Sequence, residues 1–217
     1  LDTAEFIFKG ILEERPGYAF ATSGIAQVRT AQQRYDEAIR LLEAAWATTP
    51  EHAFLEQLVA VYRAAGRDAE AHRTIDLVMK EFADHTAEGW NIDREFAAFC
   101  AEHNIRLAEA LERAQNEHRR RPRNIDVLDT YAYALFKNGR AADALPIMQR
   151  ALRLGTQKAS LKLRAAQIYA ANGDIAGART MLQQSLKINP YMEVLHRTEV
   201  HRLRESLNLL AAHDEKP

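Results

Sequence analysis

Few residues of this 217-residue chain combine the types and spacings that chemistry requires. Cys100 and His103 lie three positions apart on a predicted helix and could share a metal ion, but two ligands do not complete a site. His196 and His201 lie five positions apart, which places them on different faces of a helix. The sequence contains no Gly-rich phosphate loop, no zinc-protease helix motif and no G-x-S-x-G motif. We therefore predict a non-enzymatic protein with no catalytic residues, no metal and no cofactor.

The densest charge cluster is the run Arg119–Arg123, which Pro122 interrupts. A nucleic-acid surface would add interleaved aromatic side chains or a second basic stripe, and neither adjoins the run in the sequence. Arginines in the last turn of a helix also offset the negative end of the helix dipole, which requires no ligand. Nucleic-acid contact through this run is kept as an alternative, and nucleic acid is not the favoured partner.

Composition and charge describe a folded chain without a membrane span. Hydrophobic residues make up 47% and charged residues 27%, which is too apolar for a disordered segment. The formal net charge is −1, but residues 1–108 carry 11 basic against 18 acidic side chains and residues 109–217 carry 18 against 12. No apolar run of membrane-spanning length and no signal peptide is visible, so we expect a soluble chain of undetermined compartment. The missing initiator Met suggests a processed form or a fragment.

The strongest signal is an internal repeat with a period near 34 residues, which is typical of a solenoid of helix pairs. Alanines recur at this period at Ala4, Ala38, Ala71, Ala110, Ala144 and Ala178. Four positions after each comes an apolar residue: Phe8, Leu42, Ile75, Ala114, Met148 and Leu182. Proline closes most of the units, at Pro16, Pro50, Pro122 and Pro190.

Within one unit the apolar spacing predicts two helices, roughly over residues 18–31 and 35–48. A short turn joins them, and later units place glycine in this turn at Gly66, Gly139 and Gly173. Glycine there suits a helix that ends in the left-handed conformation. We expect Trp46 and Trp90 to pack in the core.

These units resemble the tetratricopeptide repeat (TPR) family, in a degenerate, bacterial-type form. The best match runs from Thr130-Tyr131-Ala132-Tyr133-Ala134-Leu135 through Gly139, Ala144, Met148 and Ala151. The same frame returns in Ala166, Tyr169, Gly173, Ala178, Leu182 and Pro190. The chain departs from the family where the early Trp is replaced by Thr22, Leu55, Leu128 and Lys162. The resemblance implies an all-α, right-handed superhelical solenoid of antiparallel helix pairs with a C-terminal capping helix.

The repeat frame divides the chain into a TPR array over residues 1–190 and a capping helix and tail over 191–217. The array comprises a half repeat at 1–16 and units at 17–50, 51–84, 85–122, 123–156 and 157–190, of which 85–122 is diverged and contains an insertion. We expect the half repeat to bury Phe8, Ile11 and Leu12 and to leave Phe6 or Ile7 open. Such an open stripe could support a homo-oligomer, helped by the opposite charges of the two halves.

In the family, the first helices of successive units line a groove that binds peptides or helices. The Lys and Asn pair with which some members clamp a carboxylate tail has no counterpart at Glu95 and Phe99 or at Asp129 and Tyr133. The groove would instead present acidic and aromatic side chains, which suit a basic or amphipathic partner segment. We predict these groove residues to be Glu95, Phe99, Glu102, Asp126, Asp129, Tyr133, Phe136, Arg164 and Gln167. The alternative is that several of the acids only keep the surface solvated.

The resulting interpretation is a protein-interaction scaffold or adaptor that binds a partner segment in the groove. A regulatory or structural module of a larger protein remains an alternative, because repeat folds support many functions.

Overall fold

The structure, a computed structural model, describes residues 1–214, with side chains described for residues 1–192, 194 and 196–208. The described part is all-α and contains no strand. The helices are α1 (Asp2–Glu14), α2 (Ala19–Ala31), α3 (Tyr35–Thr48), α4 (His52–Ala64), α5 (Asp68–Ala87), α6 (Asp93–His103), α7 (Leu107–Arg120), α8 (Ile125–Lys137), α9 (Ala141–Leu152), α10 (Ala159–Ala171), α11 (Ile175–Ile188), α12 (Met192–Leu195) and α13 (Arg197–Asp214). None of the helices described is long and apolar enough to cross a membrane.

The recurring alanines lie where the two helices of each pair meet. They are at most 1% exposed at Ala38, Ala71, Ala110, Ala144 and Ala178. The facing positions on the first helices are fully buried at Ala26, Val59, Ala97, Ala132 and Ala166. Because small side chains let helix axes approach closely, this contact explains the period of 34 and confirms the predicted helix pairs.

The described part of the chain forms two compact units, residues 1–90 with 194–197, and residues 91–193 with 198–214. The first unit contains the pairs α2–α3 and α4–α5, with α1 packed on α2. In α1, Phe6 is 78% exposed and Ile7 is 53% exposed, as expected, whereas Phe8, Ile11 and Leu12 are only half-buried. Gly24 of α2 leaves room for the Phe8 ring, which a Cβ at this position would overlap.

The second unit contains the pairs α6–α7, α8–α9 and α10–α11. One part of its core is built from buried residues of α8, α9 and α10, including Leu128, Leu135, Met148, Leu161 and Ile168. A second cluster joins Leu182 to Met192, Val200, Leu203 and Leu207. The predicted capping segment consists of two helices, and the break between α12 and α13 lets both Met192 and Val200 reach this cluster.

The insertion before the third pair lengthens a helix. Helix α5 has 20 residues and ends at Ala87, so the predicted unit boundary at residue 84 falls inside it. Trp90 follows in the turn and is 67% exposed, which corrects the expectation that it packs in the core. Trp46 is half-buried against Ala45 and Phe54, as expected.

The turns inside the pairs confirm the glycine pattern, with φ of +72°, +76° and +81° at Gly66, Gly139 and Gly173. The preceding asparagines of the second unit make a further link. Asn138 Nδ2 donates to Leu107 O at 2.9 Å, and Asn172 Nδ2 donates to Ala141 O at 2.9 Å. Each asparagine thereby binds the end of one first helix to the start of the preceding second helix.

Candidate partner-binding surface

All nine predicted groove residues lie on α6, α8 and α10, which are the first helices of the second unit. Helix α8 contacts both α6 and α10 directly, so the three form one layer, which we call the first-helix layer. Residues separated by one or two repeat lengths in the sequence can therefore meet on one surface.

The Arg164 side chain links the three helices of this layer. Its guanidinium lies 2.9 Å from Glu102 Oε2 and 3.1 Å from Asp129 Oδ2, so one side chain joins α10 to both other first helices. Its Cζ also lies 4.5 Å from the centroid of the Tyr133 ring, a cation–π contact. Burial opposes the positive charge, but Asp129 and Glu102 outweigh it and raise the pKa of the Arg164 guanidinium.

The remaining acids of the layer are also paired. Lys158 Nζ lies 2.8 Å from Asp126 Oδ1 and 3.5 Å from Asp129 Oδ2. The hydrogen bond from Lys158 lowers the pKa of the Asp126 carboxyl, which is therefore ionised at neutral pH. Glu95 is paired with its neighbour Arg94. The surface that the sequence presents as acidic is largely neutralised by the chain's own cations.

Three of the predicted contact residues lie beneath the surface. Phe99, Asp129 and Tyr133 are exposed by 3%, 1% and 2%. Burial raises the pKa of the Tyr133 phenol, so it stays neutral. These side chains support the layer and offer little area to a partner, which corrects the sequence-based expectation. The periodicity marked an inner face correctly but did not distinguish its packed residues from its open ones.

The other predicted residues stay accessible to different degrees. Asp126 is exposed, while Glu95, Glu102, Phe136, Arg164 and Gln167 are half-buried. The Phe136 ring stacks near Tyr133, with 6.1 Å between the centroids. Lys137 covers the same tyrosine, 5.2 Å from its centroid, and burial lowers the pKa of this lysine.

Two acceptor atoms in this layer have no hydrogen-bond partner among the described residues. They are Asp129 Oδ1 and Gln167 Oε1, and both are buried. An unsatisfied buried acceptor costs roughly 1–3 kcal/mol, so a donor that reached the half-buried Gln167 side chain would be favoured.

The residues considered for metal chemistry do not form a site. Cys100 is fully buried, and burial raises the pKa of its thiol to about 12, so it behaves as a small packing residue. His201 lies 3.3 Å from Glu205 on the surface of α13. Across the described part of the chain, no three His, Cys, Asp or Glu residues are grouped to hold a metal ion.

Comparison with known proteins agrees with the repeat frame. A family model described as tetratricopeptide repeat matches residues 1–60, 29–92 and 135–206, which together exceed half of the chain. No curated protein matches the sequence significantly.

Several solved structures share the fold at low sequence identity. The Cut9–Hcn1 hetero-tetramer of the APC/C has a TM-score of 0.62 at 14% identity and is matched over 100% of this chain. This chain spans 41% of the length of that protein. A repeat protein from Parabacteroides merdae gives 0.60 at 15% identity, covering 97% of this chain and 77% of its own. One from Thermus thermophilus gives 0.53 at 18% identity, covering 87% and 98%.

Proposed function

This chain belongs to the tetratricopeptide repeat family, and we propose that it is a non-catalytic scaffold whose second unit binds a segment of a partner protein on the first-helix layer. Members of this family are typically protein-interaction scaffolds and are generally not catalytic.

The observation that carries the proposal is the position of Arg164. It binds Glu102 and Asp129, which lie 62 and 35 residues away in the sequence, on two other helices. Three first helices are therefore fixed to one another by polar contacts that already exist before a partner arrives. A preorganised surface loses little conformational freedom on binding, which favours affinity.

The same contacts define the chemistry of the segment. Since Glu102, Asp129 and Asp126 are already paired with cations, a strongly basic segment would have to compete with Arg164 and Lys158. The unsatisfied Oε1 of the half-buried Gln167 favours a segment that donates hydrogen bonds. Phe136 offers a half-buried ring for an apolar side chain. We therefore propose an amphipathic segment in which isolated Lys or Arg residues stand among apolar ones.

The test uses three labelled amphipathic peptides of equal length and measures fluorescence anisotropy with the whole chain. The basic peptide carries isolated Lys residues among apolar ones, the second peptide is neutral and the third is acidic. We expect the basic peptide to bind most tightly. Phe136→Ala and Gln167→Ala should each weaken it by roughly tenfold if they are central contacts. Phe20→Ala is the matched control, because Phe20 is a 49% exposed aromatic residue of the first unit.

Hydrogen exchange with the bound peptide locates the contact. Slower exchange in α8 and α10 would support the proposal. Protection confined to the second helices α7, α9 and α11, together with unchanged affinity in both variants, would contradict it.

A further inference from the structure

A second charged surface lies on the second helices, away from the residues of the first-helix layer. It combines the end of α7 with the end of α9. Arg150 Nη2 donates to Pro122 O at 2.7 Å, and Arg153 Nη2 donates to Arg123 O at 2.6 Å. The structure therefore supplies the second basic group that the sequence lacked beside the arginine run. We call this set the arginine cluster; its members are all exposed and are Arg119, Arg120, Arg121, Arg123, Arg150 and Arg153.

The negative charge within this cluster is small. Glu117 is the carboxylate that contacts it, bound to Arg121 and lying 3.6 Å from Arg120. Glu117 is 1% exposed and also accepts a hydrogen bond from Asn91 Nδ2 at 2.8 Å. Burial opposes its charge, but these hydrogen bonds lower its pKa, so it remains ionised and already satisfied.

Helix dipoles do not account for the excess charge. The ends of α7 and α9 together contribute a negative charge of roughly one unit, since each helix end carries about half a charge. With Glu117, this offsets about two of the six guanidinium charges. A surface that keeps so much uncompensated positive charge is a natural binding surface for an anion.

We propose that the arginine cluster binds an acidic segment of a second partner protein. The guanidinium group presents paired donors that match a carboxylate, and every cation of the cluster is arginine. The hydrogen bonds from Arg150 and Arg153 to the turn after α7 bring guanidinium groups from both helix ends to one place. Acidic residues at alternate positions can thus reach arginines from both helices.

A protein partner is favoured over nucleic acid because the cluster has no stacking platform among its described residues. The nearest aromatic groups are His118 and Tyr131, whose rings stack on each other at 5.0 Å. His118 Nδ1 is buried, and burial lowers the pKa of this histidine, so it adds no reliable positive charge at neutral pH. Single-stranded nucleic acids bind mainly to grooves that add exposed aromatic rings to positive charge.

With the first-helix layer, this surface would let one chain hold two partners at once. The inference does not depend on the first proposal, because the two surfaces share no residue.

The experiment measures fluorescence anisotropy of the full chain with three probes: a labelled peptide of alternating Glu and Ser, a peptide of alternating Gln and Ser, and an oligothymidine with the charge of the first peptide. We expect the Glu–Ser peptide to bind, and its affinity to fall as salt is raised. The double variant Arg119→Glu/Arg123→Glu should weaken it by about tenfold or more, because charge reversal opposes encounter as well as binding.

The matched control is Arg40→Glu/Arg73→Glu, which makes the same charge change on exposed residues of the first unit. It should alter the affinity by less than about twofold, since neither residue belongs to the cluster and both are exposed to screening by salt. Arg119→Gln/Arg123→Gln should give an intermediate loss and guards against misfolding of the reversal variant, which circular dichroism also checks.

Three results would overturn the proposal. One is tighter binding of the oligothymidine than of the Glu–Ser peptide, which would assign the cluster to nucleic acid. Another is equal loss in the control variant. The third is self-association in sedimentation experiments that disappears only in Arg119→Glu/Arg123→Glu, which would make a second copy of this chain the occupant.

Discussion

Within each unit, side chains link the first helices to one another, and the chemistry of this link differs between the two units. In the first unit the link between α2 and α4 is neutral: Ser23 Oγ and Gln27 Nε2 both donate to Gln57 Oε1, at 2.9 and 3.1 Å. In the second unit the equivalent link is ionic, through Arg164, Glu102 and Asp129. The same backbone repeat thus carries either an amide contact or an ionic contact between its first helices.

The turns inside the helix pairs also differ between the two units, and again the second unit has the more specific polar contacts. Asn138 and Asn172 bind carbonyls of a preceding helix, whereas the corresponding residues of the first unit are Gln32 and Ala65. Alanine has no donor, and Gln32 instead accepts from Arg29 at 2.9 Å. The second unit therefore depends more on specific polar contacts, and polar substitutions should reveal the difference.

The largest effect is expected at the buried ion pair. Asp129→Ala removes one partner of Arg164 and should lower the free energy of unfolding by about 3 kcal/mol, because it leaves part of a buried charge uncompensated. Chemical denaturation measures this. Asp126→Ala is the matched control on the same helix, and it should cost less than about 1 kcal/mol because Asp126 is exposed. Equal losses would show that the second unit has no special polar dependence.

The small residues at the helix contacts should behave alike in both units. Ala71→Leu in the first unit and Ala144→Leu in the second should each lower the free energy of unfolding by about 2 kcal/mol, because overpacking displaces the facing helix. Denaturation curves test both, with Arg119→Leu as an exposed control. Ala144→Leu or Ala178→Leu melting with the parent protein would mean that the repeat frame is misplaced.

The loss of stability on removing a turn contact should be smaller than these effects and should be confined to the second unit. Asn138→Ala removes donors to two helix-end carbonyls, Leu107 O and Ala134 O, and should cost about 1 kcal/mol. Gln32→Ala at the equivalent turn should cost less, since its partners Arg29 and Arg34 each keep a carboxylate partner. The comparison fails if the two substitutions lower the melting temperature equally.

The smallest expected effect is on the dependence of stability on pH in the acidic range. Hydrogen bonds from Arg29 and Lys9 lower the pKa of Glu5 from 4.5 to about 2. Because the folded pKa is the lower one, ionised Glu5 stabilises the fold above pH 4.5, and this stabilisation is lost as the pH falls towards 2. The melting temperature of Glu5→Gln should therefore fall less steeply than that of the parent between these values. Glu13→Gln, on the exposed part of α1, should follow the parent. Identical profiles of melting temperature against pH for all three proteins would show that Glu5 does not stabilise the fold in this way.

The repeat and its helix pairs were predictable from the sequence because they depend on local spacing. The alanines at a period of 34, with apolar residues four positions later, require a buried helix face wherever they occur. Glycines in the turns likewise reported a local backbone requirement, which the left-handed φ values at Gly66, Gly139 and Gly173 satisfy. Neither signal needs knowledge of distant residues.

The chemistry of the candidate surfaces depended on contacts between distant residues. The sequence placed Asp129 and Tyr133 on an inner helix face, but only packing decided that both are buried. It indicated an acidic groove, and only the folded chain brought Arg164 and Lys158 against those acids. It also showed an isolated arginine run, to which the structure adds Arg150 and Arg153.

Sequence periodicity thus determined which faces of the helices are buried, since burial follows from the regular rotation of side chains around each helix. Tertiary structure decided which charges neutralise one another, because ion pairs depend on distances between residues about 30 to 60 positions apart. Asp126 and Asp129 illustrate both contributions. Their helix was predicted from the spacing of apolar residues, whereas their cationic partners Lys158 and Arg164 belong to the next repeat and were identified only in the folded chain.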